Sequence, residues 1–272
     1  MRVIGEKING TRRSVAQAIE ERNAALIRDL AVRQAEAGAA WLDVNAGTQR
    51  SREPDDLVWL VETIQPVVEV PLCLDSANPQ ALAAAIQVVE RTPMINSISG
   101  EPQRLEGILP LVAGHGCPVI ALAMDDKGIP TTREGRMEVV RKVMEATRAS
   151  GVPDENVYVD PLAMTLATNT DSALITLDTL RAIRSEFPKV HLTMGLSNIS
   201  FGLPARSYIN RAFLTLALAA GLDCAILDPL DRQIQAALVA AELVLGRDRY
   251  CLNYTRAYRA GLFNGSDAKA PA

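Results

Sequence analysis

The sequence predicts an α/β fold of the (β/α)8 TIM-barrel type, built as a single domain. Three observations carry that prediction. Short apolar strand-like runs alternate with helical runs eight times along the 272 residues, with almost no filler. The chain is 48% hydrophobic but only 4% aromatic, so its core must be built from Ala, Val, Ile and Leu, the usual material of helices packed over a parallel sheet. Six strand-like runs also end in an acid or an amide: LDVN (42–45), CLDS (73–76), INS (95–97), YVDP (158–161), GLSN (195–198) and ILDP (226–229). Barrel enzymes gather their chemistry at that end of their strands.

Taken in order, RVIGEKI (2–8) reads as the first strand, and residues 14–38 have the apolar spacing of one helix that ends on Gly38. WLDVN (41–45) is short and apolar, and helical residues 56–68 follow, with Pro66 near their end. PLCLDS (71–76) precedes a helix at 78–90, and PMINSIS (93–99) one at 101–116. PVIALAMD (118–125) leads into 132–151, VYVDPLA (157–163) into 170–187, HLTMGLSN (191–198) into 206–221, and DCAILDP (223–229) into 232–246. Gly116, Gly151 and Gly221 close three further helices, glycine being the residue that accepts the left-handed backbone just past a helix end. Eight such units at this length favour a closed barrel over an open doubly wound sheet. The barrel is expected over residues 1–255, with an appended C-terminal tail at 256–272 whose last stretch, GSDAKAPA, frays.

Bulk properties exclude several function classes. A net charge of −4 argues against a phosphate-neutralising nucleic-acid surface. The start, MRVIGEKINGTRRS, lacks the apolar core of a secretory signal. No segment approaches the roughly 18 apolar residues of a membrane span; FLTLALAAGLDCAIL (213–227) is broken by Gly221 and Asp223. The four cysteines, Cys73, Cys117, Cys224 and Cys251, are far apart and read as reduced thiols of a cytoplasmic protein. With two histidines, His115 and His191, a His-rich metal site is excluded on count, and no protein-bound metal is expected.

If the strands close, their ends place Asn9, Asp43, Asn45, Asp75, Asn96, Asp160, Asn198 and Asp228 on one rim almost without cations. Any single strand-end Asp or Asn is as well explained as a helix N-cap. Capping does not account for Asp75, Asn96, Asp160 and Asn198 together, each read as lying directly on a strand end. Carboxylates accept hydrogen bonds, while amides accept and donate. Two of each suit a flat heterocycle with N–H and NH2 donors beside a carbonyl. GLSN and LDPL make poor phosphate cradles, so a phosphorylated sugar is not expected. No histidine stands on a strand end to serve as a base for Ser or Cys. Cys73 reads as packing, His115 as a structural helix-end residue, and Asp125 with Asp126 as a solvated loop pair.

These residues fall within motifs that resemble the pterin-binding methyltransferases. The motifs are GEKING (5–10), LDVNAG (42–47), LCLDSAN (72–78), MINSIS (94–99), AMDDKGIP (123–130), YVDPL (158–162) and GLSNISFGLP (195–204). They run in order over about residues 2–255. The methyltetrahydrofolate:corrinoid protein methyltransferases are the most similar group. The ISFGLPAR that follows Asn198 is nearer to the folate domain of cobalamin-dependent methionine synthase.

The resemblance implies a methyltransferase, usually a homodimer, that moves a methyl group between N5 of tetrahydrofolate and the cobalt of a separate corrinoid protein docked over the rim. Tetrahydrofolate or 5-methyltetrahydrofolate is then the substrate, and the corrinoid belongs to the partner. By motif match, Asp75, Asn96 and Asp160 bind the pterin ring, Asn198 contacts N5, and Ser197, Arg206 and Asn9 belong to the same site. A methyl on a tertiary amine is a poor electrophile unless N5 is protonated. An amide cannot be the acid, so Asn198 is expected to stabilise protonated N5, with the proton arriving through water or the Asp160 network. Two other readings compete. Dihydropteroate synthase would need Lys and Arg on the last strands, where GLSN and ILDP carry neither. A pterin-binding protein without catalysis would bind the ring and transfer nothing.

Overall fold

The computed structural model describes residues 1–264. Alternation along each strand divides the wall into two faces. One face packs outward on helices, with Val3, Leu42, Val44, Leu74, Ile95, Val119 and Val159 in a continuous core. The other points inward and fills the lower lumen with Ile4, Cys73, Met94, Ile120, Tyr158 and Cys224.

The strands are β1 (Arg2–Asn9), β2 (Trp41–Asn45), β3 (Leu72–Asp75), β4 (Met94–Ser99), β5 (Val119–Leu122), β6 (Val157–Asp160), β7 (His191–Leu192) and β8 (Cys224–Leu227). They pair in the order β7-β6-β5-β4-β3-β2-β1-β8, parallel at every junction. The seam between β7 and β8 is thin. Asp223 N–H donates to Leu192 O at 3.3 Å and Ile226 N–H to Met194 O at 2.9 Å. A single bridge, Gly195 with Ile226, completes the closure. The fold is the single-domain TIM barrel expected.

Around the wall lie α1 (Arg13–Glu20), α2 (Ala24–Glu36), α3 (Glu53–Ile64), α4 (Pro79–Ile86), α5 (Pro102–His115), α6 (Arg133–Ala149), α7 (Ser172–Glu186), α8 (Arg206–Ala219) and α9 (Arg232–Val244). A last helix, α10 (Leu252–Arg259), packs on α9, and Tyr254 meets Phe263 at 4.8 Å between ring centroids. The expected fraying of GSDAKAPA lies outside the described residues. Among the described residues no helix is long and apolar enough to cross a membrane.

Two elements differ from expectation. The single helix at 14–38 is two helices: Arg22 turns left-handed at φ 53°, and Asn23 starts α2 by accepting the Leu26 N–H at 3.3 Å. An Asn side chain that can cap a new helix competes with continuing the old one. The seventh strand stops at Leu192, and residues Leu196–Ser200 form a 3-10 turn instead. Asn198 therefore sits on a turn after the strand rather than on its end.

The amino-terminal end of the barrel is closed by paired charges. Arg2 donates to the Tyr158 hydroxyl, His191 stacks on Tyr158 with centroids 4.5 Å apart, and Trp41 meets Tyr158 edge-on at 5.9 Å. Asp223 binds His191 Nδ1 at 3.0 Å, Arg184 at 2.9 Å and the Leu192 N–H at 3.0 Å. Burial alone would raise the Asp223 carboxyl, but the His191 hydrogen bond, the Leu192 N–H and the Arg184 charge hold it below the usual range.

Candidate active site

The opposite end is built from the same strands, two residues further along. In the ladder Asp75 stands beside Asn96, and Leu122 beside Asp160. Asp43, two residues past Trp41 on the inward face, sits behind them with only 3% of its surface exposed. Asn96 Nδ2 donates to Asp43 Oδ1 at 3.2 Å, so β2 anchors the amide carried by β4. Asn45 Nδ2 donates to Asp75 Oδ2 at 2.9 Å and to Asp75 O at 3.2 Å. The buried Asn45 Oδ1 has no partner.

Asp160 accepts the Leu162 N–H at 2.7 Å and the N–H of Gly195. Gly195 opens the 3-10 turn that carries Asn198. A Cβ at position 195 would lie 3.1 Å from Asn198 Nδ2, so the glycine leaves room for the amide to fold back on its own turn. The turn is held from behind: Arg206 donates to Ser197 O at 2.6 Å and to Ser200 Oγ at 3.0 Å, and Ser200 Oγ donates to Asn210 at 2.7 Å. Ser197 thus meets Arg206 through its backbone. Asn9 is beside Asn45 in the ladder, and its Oδ1 binds the Thr11 N–H at 2.9 Å and hydroxyl at 2.7 Å, which shapes the first loop. That loop touches the second so closely that a Cβ on Gly10 would fall 1.8 Å from Ala46 O.

The carboxyls here are hard to ionise. Burial pushes Asp75 up to about 6 against the lowering influence of the Asn45 hydrogen bond and Arg104. Burial likewise raises Asp160 to about 6, although two backbone N–H groups and Arg136 oppose it. Asp43 is raised well above its ordinary value by burial and by the charge of Asp75. Cys73 lies behind Asp43, and burial raises its thiol strongly, so it is a packed thiol and no nucleophile.

Strand-end residues were legible in the sequence; three features were not. Glu6 faces this group, ion-paired with Arg12 at 2.9 Å and raised by burial. Lys7 pairs with Asp228, so the rim is not as free of cations as expected, and Asp228 is turned toward that lysine. Arg104, in the first turn of α5, bridges Glu101 at 2.8 Å beside Asp75. The register of β1 shifts between Gly5 and Ile8, and this break in strict alternation brings both Glu6 and Lys7 to the rim. A single arginine in the first turn of a helix leaves no periodic signal that it reaches the mouth. Asp125 stays in its loop, accepting the Lys127 N–H at 2.9 Å, and His115 binds Leu111 O at 3.0 Å on an exposed helix end. Among the described residues no three of His, Cys, Asp or Glu are grouped to hold a metal ion.

Known proteins align with this arrangement. The family model of the pterin binding enzymes matches residues 5–228. The chain is 40% identical to the methylcorrinoid:tetrahydrofolate methyltransferase of Eubacterium limosum, over 99% of its own length and 100% of that protein. It is 32% identical to the methionine synthase of Mycobacterium leprae over 91% of its own length, which is 22% of that larger protein. Among solved structures, the dihydropteroate synthase of Xanthomonas albilineans in complex with 7,8-dihydropteroate superposes with a TM-score of 0.66 at 20% identity, covering 90% of this chain and 92% of that one. At that identity the superposition shows a common fold.

Proposed function

The chain belongs to the pterin binding enzymes, and on that premise we propose that it is a methyltransferase working between N5 of tetrahydrofolate and a corrinoid carried by a separate protein. The direction favoured is toward tetrahydrofolate, as written in the name of the Eubacterium limosum relative. The single observation that carries the reading is the mouth itself: Asp75 and Asn96 on adjoining strand ends and Asp160 across β5 from Asn96, backed by Asn45 and Asp43, with the turn that carries Asn198 tied to Asp160 through the Gly195 N–H.

Carboxylates poised near pH 6 are strong acceptors at neutral pH, and with Asn96 they complement the amino and N–H donors of a pterin ring. Asn198 then faces N5, held by the Arg206–Ser197–Ser200 clamp, while Asn9 shapes the adjoining loop. The partner's corrinoid supplies a cobalt that gives or takes the methyl. What this chain does is hold the ring, stabilise the charge at N5 through the Asn198 amide, and exchange the N5 proton through water with Asp160. Moving the methyl onto N5 converts an N–H to N–CH3, so one proton must leave. Moving it off returns a proton to the nitrogen lone pair. A homodimer of this chain, with the corrinoid protein presented over the rim, completes the reading.

Asn198→Ala tests it. Ring binding should hold within about threefold while kcat for methyl transfer falls about 10²-fold, the pattern of an interaction made mainly in the transition state. Unchanged transfer with intact binding would remove Asn198 from the chemistry. Binding of methyltetrahydrofolate with no turnover by the native chain would favour a carrier.

A further inference from the structure

Beside the mouth, the rim carries a recess of about 600 Å³, lined by Arg50, Pro79, Glu101, Gln103, Arg104 and Asp126. It is formed by the loops after β2, β3, β4 and β5 and is of the size that takes a small-molecule fragment. Arg104 borders both the recess and the mouth, because it lies within electrostatic reach of Asp75 and its Nη1 is 3.5 Å from Ser97 O. Its direction is fixed: Nε meets Glu101 at 2.8 Å, and Glu101 is itself held by Ser99 Oγ at 2.7 Å. That leaves guanidinium edges for a further acceptor.

Arg50 stands on the neighbouring loop. Its backbone is pinned by Asn78 Nδ2 donating to Arg50 O at 3.1 Å, yet its exposed guanidinium takes part in no ion pair or hydrogen bond among the described residues. Two guanidinium groups thus approach one recess, one oriented from the first turn of α5 and one from the loop after β2 without a partner among the described residues. Glu101 is already neutralised by Arg104, and Asp126 remains as a like charge that would turn an acidic ligand toward the arginines.

We infer that this recess is a carboxylate subsite and that Arg50 and Arg104 take the glutamyl end of the folate tail while the ring sits in the mouth. The inference rests on the pterin reading above. A ring bound by the strand ends must send its substituent out over the rim, and this recess adjoins the ring site through Arg104. Binding should therefore strengthen with each added glutamate that reaches the arginines.

The test compares three ligands on the intact chain by titration calorimetry: tail-less 6-methyltetrahydropterin, tetrahydrofolate, and tetrahydrofolate triglutamate. The native chain should bind the triglutamate at least about tenfold tighter than the tail-less ring. Arg50→Ala, an exposed change that leaves the core alone, should remove most of that advantage and leave the tail-less ring unaffected. Asp126→Asn should increase the advantage. Equal loss for all three ligands, or no loss for any, would overturn the subsite. So would unchanged affinities with slower transfer from the corrinoid protein, which would assign the arginines to partner docking. Failure of the native chain to bind even the tail-less ring would instead defeat the pterin reading itself.

Discussion

The two ends of this barrel use the same strands and similar side chains to opposite effect. At the amino-terminal end Asp223 has Arg184, the His191 ring and a backbone N–H as partners, and its carboxyl is held below the usual range. At the carboxy-terminal end Asp43, Asp75 and Asp160 lie deeper than the part-exposed Asp223, take their hydrogen bonds from amides and backbone groups, and all three are raised. A buried acid paired with a cation is a structural tie. A buried acid paired only with neutral donors is left with unmet acceptor capacity, which a ligand can fill. The difference separates the closed end from the reactive end without reference to any relative.

The comparison breaks most sharply on deletion. Asp75→Ala should weaken pterin-ring binding by about 10²-fold or more, because the ring's donors lose their acceptor in a desolvated site. Its thermal stability should stay near the native value. Asp223→Ala should do the reverse, leaving ring affinity unchanged while costing about 1–3 kcal/mol of stability in chemical denaturation, since His191, Arg184 and the Leu192 N–H lose their shared acceptor. If both deletions moved affinity and stability together, the division between the two ends would be wrong.

A subtler pair of changes sharpens it. For Asp75 and Asp160 the folded-state value, about 6, lies above that of an unfolded carboxyl. The folded form therefore binds protons more tightly between about pH 4 and 6, and stability is lost as pH rises through that window. Asp75→Asn or Asp160→Asn should raise stability at pH 8 by up to about 2 kcal/mol and by nothing at pH 4, as read by urea denaturation at the two values. No gain at pH 8 would mean that the acids are not held against their preference. The smallest effect concerns the ligand: affinity for tetrahydropterin should fall about tenfold from pH 7 to pH 5 as the acceptors become protonated, and a flat profile would count against them.

Much of this was legible in the sequence, for reasons that are physical. Period-two alternation and the rule that barrels concentrate polar groups at strand ends locate Asp43, Asn45, Asp75, Asn96 and Asp160 without coordinates, and all five stand at the mouth. Asn198 was placed near them, but as the end of a longer strand; apolar pattern cannot distinguish a strand from a tight 3-10 turn that buries Leu196 and Ile199. Glu6 and Lys7 were missed because a register shift is invisible to alternation. Arg50 and Arg104 were missed because a loop after β2 and the first turn of α5 are brought together only by the fold. The break in the first helix at Arg22 was obscured by the continuous apolar spacing around it.

One consequence follows from the thin seam between β7 and β8. Cooperative opening begins where a sheet has fewest hydrogen bonds, and here that joint lies directly beneath Gly195 and the Asn198 turn. The Asp75–Asn96 side, by contrast, is paired along β3 and β4 with neighbours on both flanks, with one register shift in the β4–β5 ladder between Asn96 and Ile98. The wall is therefore uneven: fewer strand hydrogen bonds hold the Asn198 turn than hold Asp75 and Asn96. Load applied to the rim beside β7 and β8 would reach that joint before it reached the Asp75–Asn96 ladders.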